Sequence, residues 1–108
     1  MRLEGIITTV ITPYHSMRYR SREEIFASIL NAAGSGRRMT LTKLIFNSYL
    51  THPQALKYSA TLIEKGFLEY DRLDKVFRTT PNGFKFLELH NEISQIFKIQ
   101  KELEPLNI

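Results

Sequence analysis

Between Leu50 and Leu89 the apolar positions change period twice: helical spacing gives way to two short alternating runs and then returns. Upstream, Ser21 and Glu24 form the S-x-x-E pair of a capping box. After them Ile25, Phe26, Ile29, Leu30 and Ala33 recur at helical spacing, and Gly34 and Gly36 close the element. "GSGRRMT" reads as a loop. "LTKLIFNS" predicts a short second helix, with Leu41, Leu44, Ile45 and Tyr49 on one face and Thr40 or Thr42 as cap. A third helix starts at Thr51, with Gln54 completing a capping box and Pro53 in the first turn. Its inward face is Ala55, Tyr58, Ser59 and Leu62, and Gly66 stops it one residue after Lys65.

"FLEYDR" and "VFRTT" alternate on either side of the polar turn "RLDK", which predicts a hairpin with strands of roughly five residues. Thr80 then caps a last helix that begins at Pro81 and runs to about Glu104, a length of roughly 35 Å at 1.5 Å per residue. That is too long for a small domain to cover alone. Residues 1–17 stand apart. The β-branched "GIITTVITPYH" is an added edge strand, a tail that packs on a partner, or sequence upstream of a start at Met17. The organisation expected is a segment 1–17, a body 18–83 and a C-terminal helix 84–108.

Composition narrows the class. The 108 residues suit one small domain. They contain no cysteine, which excludes disulfides and thiolate metal sites. His15, His52 and His90 have no ligand spacing, so no metal is expected. The apolar run Gly5 to Ile11 is interrupted by Thr8 and Thr9 and is too short to span a bilayer, so the chain reads as cytoplasmic with no membrane partner. No serine, histidine and acid set, phosphate-cradling glycine loop or carboxylate pair stands out, and "GSG" at 34–36 does not follow a strand. An enzyme is the least expected class, and no cofactor is expected.

The net charge of +4 is unevenly spread. From Arg18 to Lys57 the basic residues are Arg18, Arg20, Arg22, Arg37, Arg38, Lys43 and Lys57, against Glu23 and Glu24 alone. The tail from Glu88 onward is net acidic. This asymmetry points to an anionic partner for one part of the fold. Three helices, with about three residues between the second and third, followed by a hairpin make a winged helix-turn-helix. The fold class is therefore α+β, mostly α, with a two-stranded wing and a long C-terminal dimerisation helix. The turn holds the third helix out from the body, where it can enter the major groove of double-stranded DNA.

The stretches "RSREEIFASIL" (20–30), "LTKLIFNSYLTHPQALKYSATLIEKGFLEY" (41–70) and "TTPNGFKFLEL" (79–89) resemble the archaeal winged-helix DNA-binding proteins with a C-terminal coiled-coil helix. That group includes small dimeric chromatin-type proteins of Sulfolobus and transcriptional regulators. The resemblance covers about 18 to 97. It implies a homodimer that binds double-stranded DNA, either at an operator as a repressor or along the chromosome, in the cytoplasm with the nucleoid. Ser59 and Thr79 stand where the family usually has leucine and isoleucine, which implies a softer core. Leu56 stands where it usually has lysine.

On the third helix, Thr51, His52, Gln54, Lys57 and Thr61 are the expected DNA contacts, with Gln54 suited to adenine and Lys57 to guanine or phosphate. Capping alone also accounts for Thr51 and Gln54. Leu56 suits a thymine methyl or a neighbouring helix and is left unassigned. Tyr58 reads as core. Arg37, Arg38 and Lys43 flank the second helix, and Asn47 and Ser48 lie near the turn, all placed for phosphate. Arg72, Lys75 and Arg78 are the wing's cations, partly offset by Asp71 and Asp74.

Along the last helix Phe86, Leu89, Ile93, Ile96, Gln100 and Leu103 alternate steps of three and four, a coiled-coil seam for a homodimer. Phe97 and Ile99 widen the stripe, so the helix is expected to pack also on the partner's first helix or on the N-terminal segment. A winged helix that binds protein through its groove face is the main rival to DNA binding, because that face carries a single mid-helix lysine. RNA is a weaker third, since its A-form major groove is too narrow for a helix.

Overall fold

The computed structural model describes residues 20–103; the segment 1–17 and Arg18 lie outside the described residues. Helices α1 (Arg22–Ala33), α2 (Leu41–Ser48) and α3 (His52–Glu64) are followed by strands β1 (Leu68–Asp71) and β2 (Val76–Thr79) and by helix α4 (Pro81–Leu103). Among the described residues these make four helices and one antiparallel pair, a mostly helical winged helix with a long C-terminal helix.

Local chemistry starts and stops the elements where the sequence predicts. The Ser21 hydroxyl accepts from the Glu24 N–H at 3.1 Å while the Glu24 carboxylate accepts from the Ser21 N–H at 2.9 Å. Thr51 and Gln54 repeat this exchange at 3.3 and 2.9 Å, so both helices begin with satisfied N–H groups. Gly66, at φ 82°, turns the chain out of α3, and Phe67 N–H donates back to the Leu62 carbonyl. The strands are four residues long rather than about five, in register from Leu68 opposite Thr79 to Asp71 opposite Val76. Outside the hairpin, Phe77 N–H donates to the Met39 carbonyl at 2.8 Å, a third pairing that ties the loop before α2 to the wing.

One core lies between α1, α2, α3 and the hairpin. Ile29, Leu30, Leu44, Leu62 and Leu68 are its largest fully buried apolar side chains, each worth about 1.5–3 kcal/mol against an exposed position. Ala55, Ser59 and Leu62 face it from α3, with Tyr58 half-buried against Phe26 at a ring separation of 6.0 Å. The Ser59 hydroxyl is buried without a partner among the described residues, the softening expected of a serine there. Thr79 differs: its hydroxyl donates to the Leu30 carbonyl at 2.7 Å and joins β2 to α1, so this position is tied where softness was expected.

Two expectations are corrected. Tyr49 does not pack with α2. The helix ends at Ser48, Tyr49 takes a left-handed conformation (φ 55°, ψ 48°) with its ring 73% exposed, and Leu50 enters the core instead. Phe86 does not belong to a free seam. Its ring lies 5.5 Å from Phe67 and 6.4 Å from Phe26, packed into its own body. Helix α4 thus has two parts: a first stretch held by α1 and β2, and an extension exposed from Asn91 to Ile99 that draws the molecule out to 57 Å. The residue 83/84 division of the sequence reading falls inside this unbroken helix.

Candidate nucleic-acid interface

The turn between α2 and α3 sets the angle at which α3 leaves the body, and a long-range clamp holds it. The Arg20 guanidinium donates to the Ser48 carbonyl at 2.7 Å, to the Tyr49 carbonyl at 3.2 Å and to the Ser28 hydroxyl at 3.3 Å. The last carbonyls of α2 have no helical partner, and Arg20 supplies one. In the sequence Arg20 reads only as one of the basic residues between Arg18 and Lys57. The contact joins positions 28 and 29 apart, beyond any local pattern, so only its place directly before the Ser21 cap hinted at a fixed position. Replacing Arg20 with methionine keeps most of the stem and removes the donors. It is expected to lower stability by about 1.5–3 kcal/mol, the range for hydrogen bonds to a charged group, measured by urea denaturation. A midpoint equal to that of Arg22→Met would show that the clamp contributes nothing.

With its core side fixed, α3 presents Thr51, His52, Gln54 and Lys57 to solvent. The Gln54 side-chain oxygen serves the cap, which leaves its amide N–H groups directed outward. The Lys57 ammonium rests 5.6 Å from the centre of the Tyr58 ring, a cation–π contact that holds it close to the helix. Thr61 is half-buried, and its hydroxyl donates to the Lys57 carbonyl at 3.2 Å, so its proton is committed to its own helix. Among these, Gln54 and Lys57 keep donors outward, as do the exposed Thr51 hydroxyl, which only accepts at the cap, and the exposed His52 ring.

The flanking residues divide in the same way. Ser48 was expected at phosphate, but it is wholly buried, so its hydroxyl cannot reach a ligand. It follows the buried Leu44 by four residues, so the α2 period places it on the buried face. The Asn47 amide donates to the Lys43 carbonyl at 2.7 Å, within its own helix. Arg38 donates to the Asp74 carbonyl at 2.9 Å and ties the loop to the wing. Arg37, in the loop before α2, and Lys43, in the first turn of α2, are exposed.

On the wing, Arg78 is paired with Asp71 at 3.0 Å and Asp74 at 3.6 Å, so its charge is largely cancelled. The Asp71 carboxyl lies below its ordinary value of 3.8, chiefly because it accepts the Asp74 N–H, with the Arg78 guanidinium and the Leu73 N–H adding to it. Arg72 and Lys75, in the turn, are exposed and take part in no ion pair among the described residues. Lys75 is left-handed at φ 59° and closes the turn onto the Asp71 carbonyl at 2.7 Å.

The exposed aromatics were not foreseen. Phe46 and Tyr49, 75% and 73% exposed, stand at the end of α2 beside the start of α3. An unbroken helical period hid Tyr49; the only signal against it was that Leu50 competes for the same inward place. At the other end of the molecule, Leu89, Ile93, Ile96 and Phe97 form an exposed row that continues the face on which Phe86 is packed. Between this row and the start of α1 lies an open groove of about 460 Å³, lined by Glu24, Leu89, Ile93 and Phe97 among others. The side chains of Gln100 and Leu103 lie outside the described residues. No helix among the described residues is long and apolar enough to cross a membrane.

The geometry has a counterpart among known proteins. A family model described as winged helix-turn-helix matches residues 19–98, most of the chain. No curated protein matches it.

Proposed function

Since the chain belongs to the winged helix-turn-helix family, we propose that it binds double-stranded DNA as a homodimer. Its role is that of a repressor-like transcriptional regulator or a chromatin-type architectural protein, in the cytoplasm with the nucleoid. The observation that carries this reading is α3 itself. One face is fixed in the core by Ala55, Ser59 and Leu62, and the other stands clear with Gln54 and Lys57 outward. Such a helix fits the roughly 12 Å wide major groove. Gln54 offers donors and an acceptor to a base edge, Lys57 a cation to guanine or phosphate, and Thr51 and His52 approach the backbone. Arg37, Lys43, Arg72 and Lys75 flank this face and supply phosphate contacts on either side.

Residues 18–83, together with the start of α4 that Phe86 anchors, then act as the reading body, and the rest of 84–108 as the element that pairs two copies. The row Leu89, Ile93, Ile96 and Phe97 supports the pairing, since a solvated helix of this length does not leave four large apolar side chains uncovered without reason. The reaction class is binding, with no chemistry assigned to any residue.

A double substitution tests the helix assignment. Gln54→Ala with Lys57→Ala is expected to weaken DNA binding by about 2–6 kcal/mol, from contacts worth ~1–3 kcal/mol each, read by fluorescence anisotropy. Because Gln54 also caps α3, Gln54→Glu serves as control: it keeps the cap oxygen and loses the amide donors. Unchanged affinity of the double variant on the best duplex would remove α3 from the interface. The second reading, a winged helix that docks on protein, draws on one feature: the α3 face beside the wing is apolar, with Leu56 47% exposed.

A further inference from the structure

The wing tip carries the most exposed large apolar side chain among the described residues, Leu73 at 94%. A single exposed leucine on a loose turn is ordinary. This turn is held at nearly every residue. One oxygen of the Asp71 carboxylate accepts the Leu73 N–H at 2.9 Å and the Asp74 N–H at 3.1 Å, and the other takes the Arg78 guanidinium at 3.0 Å. The Asp71 carbonyl accepts the Lys75 N–H at 2.7 Å. Arg38, from the loop before α2, donates to the Asp74 carbonyl at 2.9 Å, and the Met39–Phe77 pairing fixes the strand behind the turn. The tip is therefore preorganised, and Leu73 stands out from it with little backbone order left to lose on binding.

The charges around it select the occupant. Asp71 and Asp74 both pair with Arg78, and the Arg38 guanidinium lies against the Asp74 backbone, so the two acids of the turn meet two guanidinium groups. Glu69 stands two register positions back from Asp71, opposite Arg78. Arg72 and Lys75 are exposed and take part in no ion pair among the described residues. One apolar side chain is thus flanked, within two residues on either side, by two free cations. A cleft walled by phosphates with stacked bases at its floor complements this pattern. The minor groove of a duplex, about 6 Å wide, is too narrow for a helix but admits a turn of this kind. Leucine is among the side chains that enter between base steps there. The hairpin is also placed for it. The apolar row Leu56, Ala60 and Ile63 on the flank of α3 and Tyr70 and Phe77 of the hairpin line one open groove of about 340 Å³, so the wing runs beside α3. With α3 in the major groove, the adjoining minor groove lies about half a helical turn, about 17 Å, along the axis. A four-residue strand of about 13 Å with its turn covers that distance.

Resting on the DNA-binding reading above, we propose that Leu73 enters the minor groove as a wedge between neighbouring base pairs and kinks the duplex beside the site that α3 occupies. Arg72 and Lys75 hold the phosphates on either side of the wedge. The preferred ligand class is duplex DNA with flexible pyrimidine–purine steps such as TA, where unstacking costs least.

The full chain is titrated at low salt into a short duplex whose TA steps carry 2-aminopurine in place of adenine, a base that brightens when it is unstacked. Anisotropy of a dye on the end of the same duplex reports binding separately. Binding is expected to raise the 2-aminopurine fluorescence by at least about twofold, as unstacking at a wedged step requires. Leu73→Ala, a change at an exposed turn position, is expected to bind with the same salt dependence and to lose most of that rise. Arg72→Ala with Lys75→Ala is expected to lower the slope of log K against log salt by about two, close to one for each phosphate released. Binding by the unaltered chain with no rise, or a rise that Leu73→Ala keeps in full, would overturn the wedge and leave DNA binding standing. An unchanged slope in the double variant would overturn the placement of the tip on the duplex. Absence of binding by the unaltered chain would overturn the DNA reading and this proposal with it.

Discussion

Gly83→Ala is expected to cost about 3 kcal/mol or more, because one methyl group would have to enter space already filled by backbone. Gly83 lies in the first turn of α4, where the Thr80 hydroxyl accepts its N–H at 3.1 Å. The chain at the end of α3 passes directly beneath it. A Cβ at this position would overlap the Phe67 carbonyl oxygen and come within 2.6 Å of the Thr79 methyl. The Phe67 carbonyl cannot move aside freely, since it accepts the Thr80 N–H at 3.0 Å and so anchors the start of α4. The Thr80 hydroxyl in turn donates to the Gly66 carbonyl. The added methyl therefore separates α4 from the α3–β1 corner. Thermal unfolding measures the effect. At about 4–8 °C per kcal/mol for a domain near this size, the midpoint falls by roughly 12 °C or more. Asn82→Ala, an exposed change in the same turn, is the control. A Gly83→Ala midpoint within a degree or two of the control would mean that α4 does not sit this closely on the corner.

Ile93→Asp with Ile96→Asp is expected to give a folded monomer that binds DNA far more weakly. Both side chains lie on the projecting part of α4, more than half exposed in the isolated chain. Placing charge there costs the body little. In a seam between two copies, each aspartate would be taken out of water without a partner, which costs several kcal/mol per pair of chains. Sedimentation should then give one species near 12.6 kDa. Circular dichroism should retain most of the helix. The loss of a second reading head should reduce apparent affinity on a two-site duplex by about 10²–10⁴-fold, the usual gain from linked binding. A variant that still sediments as a dimer would move the pairing surface elsewhere, and one that loses its fold would mean that these isoleucines belong to the body.

Local signals carried most of the fold. The paired caps at Ser21–Glu24 and Thr51–Gln54, the Pro81 start and the Gly66 stop act within three or four residues, so they can be read from adjacent letters. The alternation of the hairpin is local for the same reason. What was hidden depends on distance along the chain. Arg20 clamps a turn 28 residues away, Thr79 bonds a carbonyl 49 residues away, and Met39 pairs with Phe77. Phe86 shows a different limit. Steps of three and four specify a stripe on a helix, but not whether its cover is another chain or the body that the helix starts from.

The candidate interface was legible as a set of residue types rather than as free groups. Gln54 and Lys57 stand outward, yet Ser48 is buried and Arg78 is neutralised by two aspartates. Charge counted along the sequence therefore overstates the wing. It also missed the apolar row, because Leu56, Ala60 and Ile63 form a surface only once the helix phase against the core is known.

The most direct test of the account is the salt dependence of binding to labelled duplex DNA, random and promoter-derived, by fluorescence anisotropy. A DNA-binding winged helix predicts measurable affinity at low salt and a linear fall of log K with log salt concentration, with slope set by the number of phosphates neutralised. A promoter preference that persists as salt rises identifies a regulator, and equal steep slopes on all duplexes identify an architectural protein. No binding to any duplex at low salt would contradict the account and leave α3 as a surface for protein.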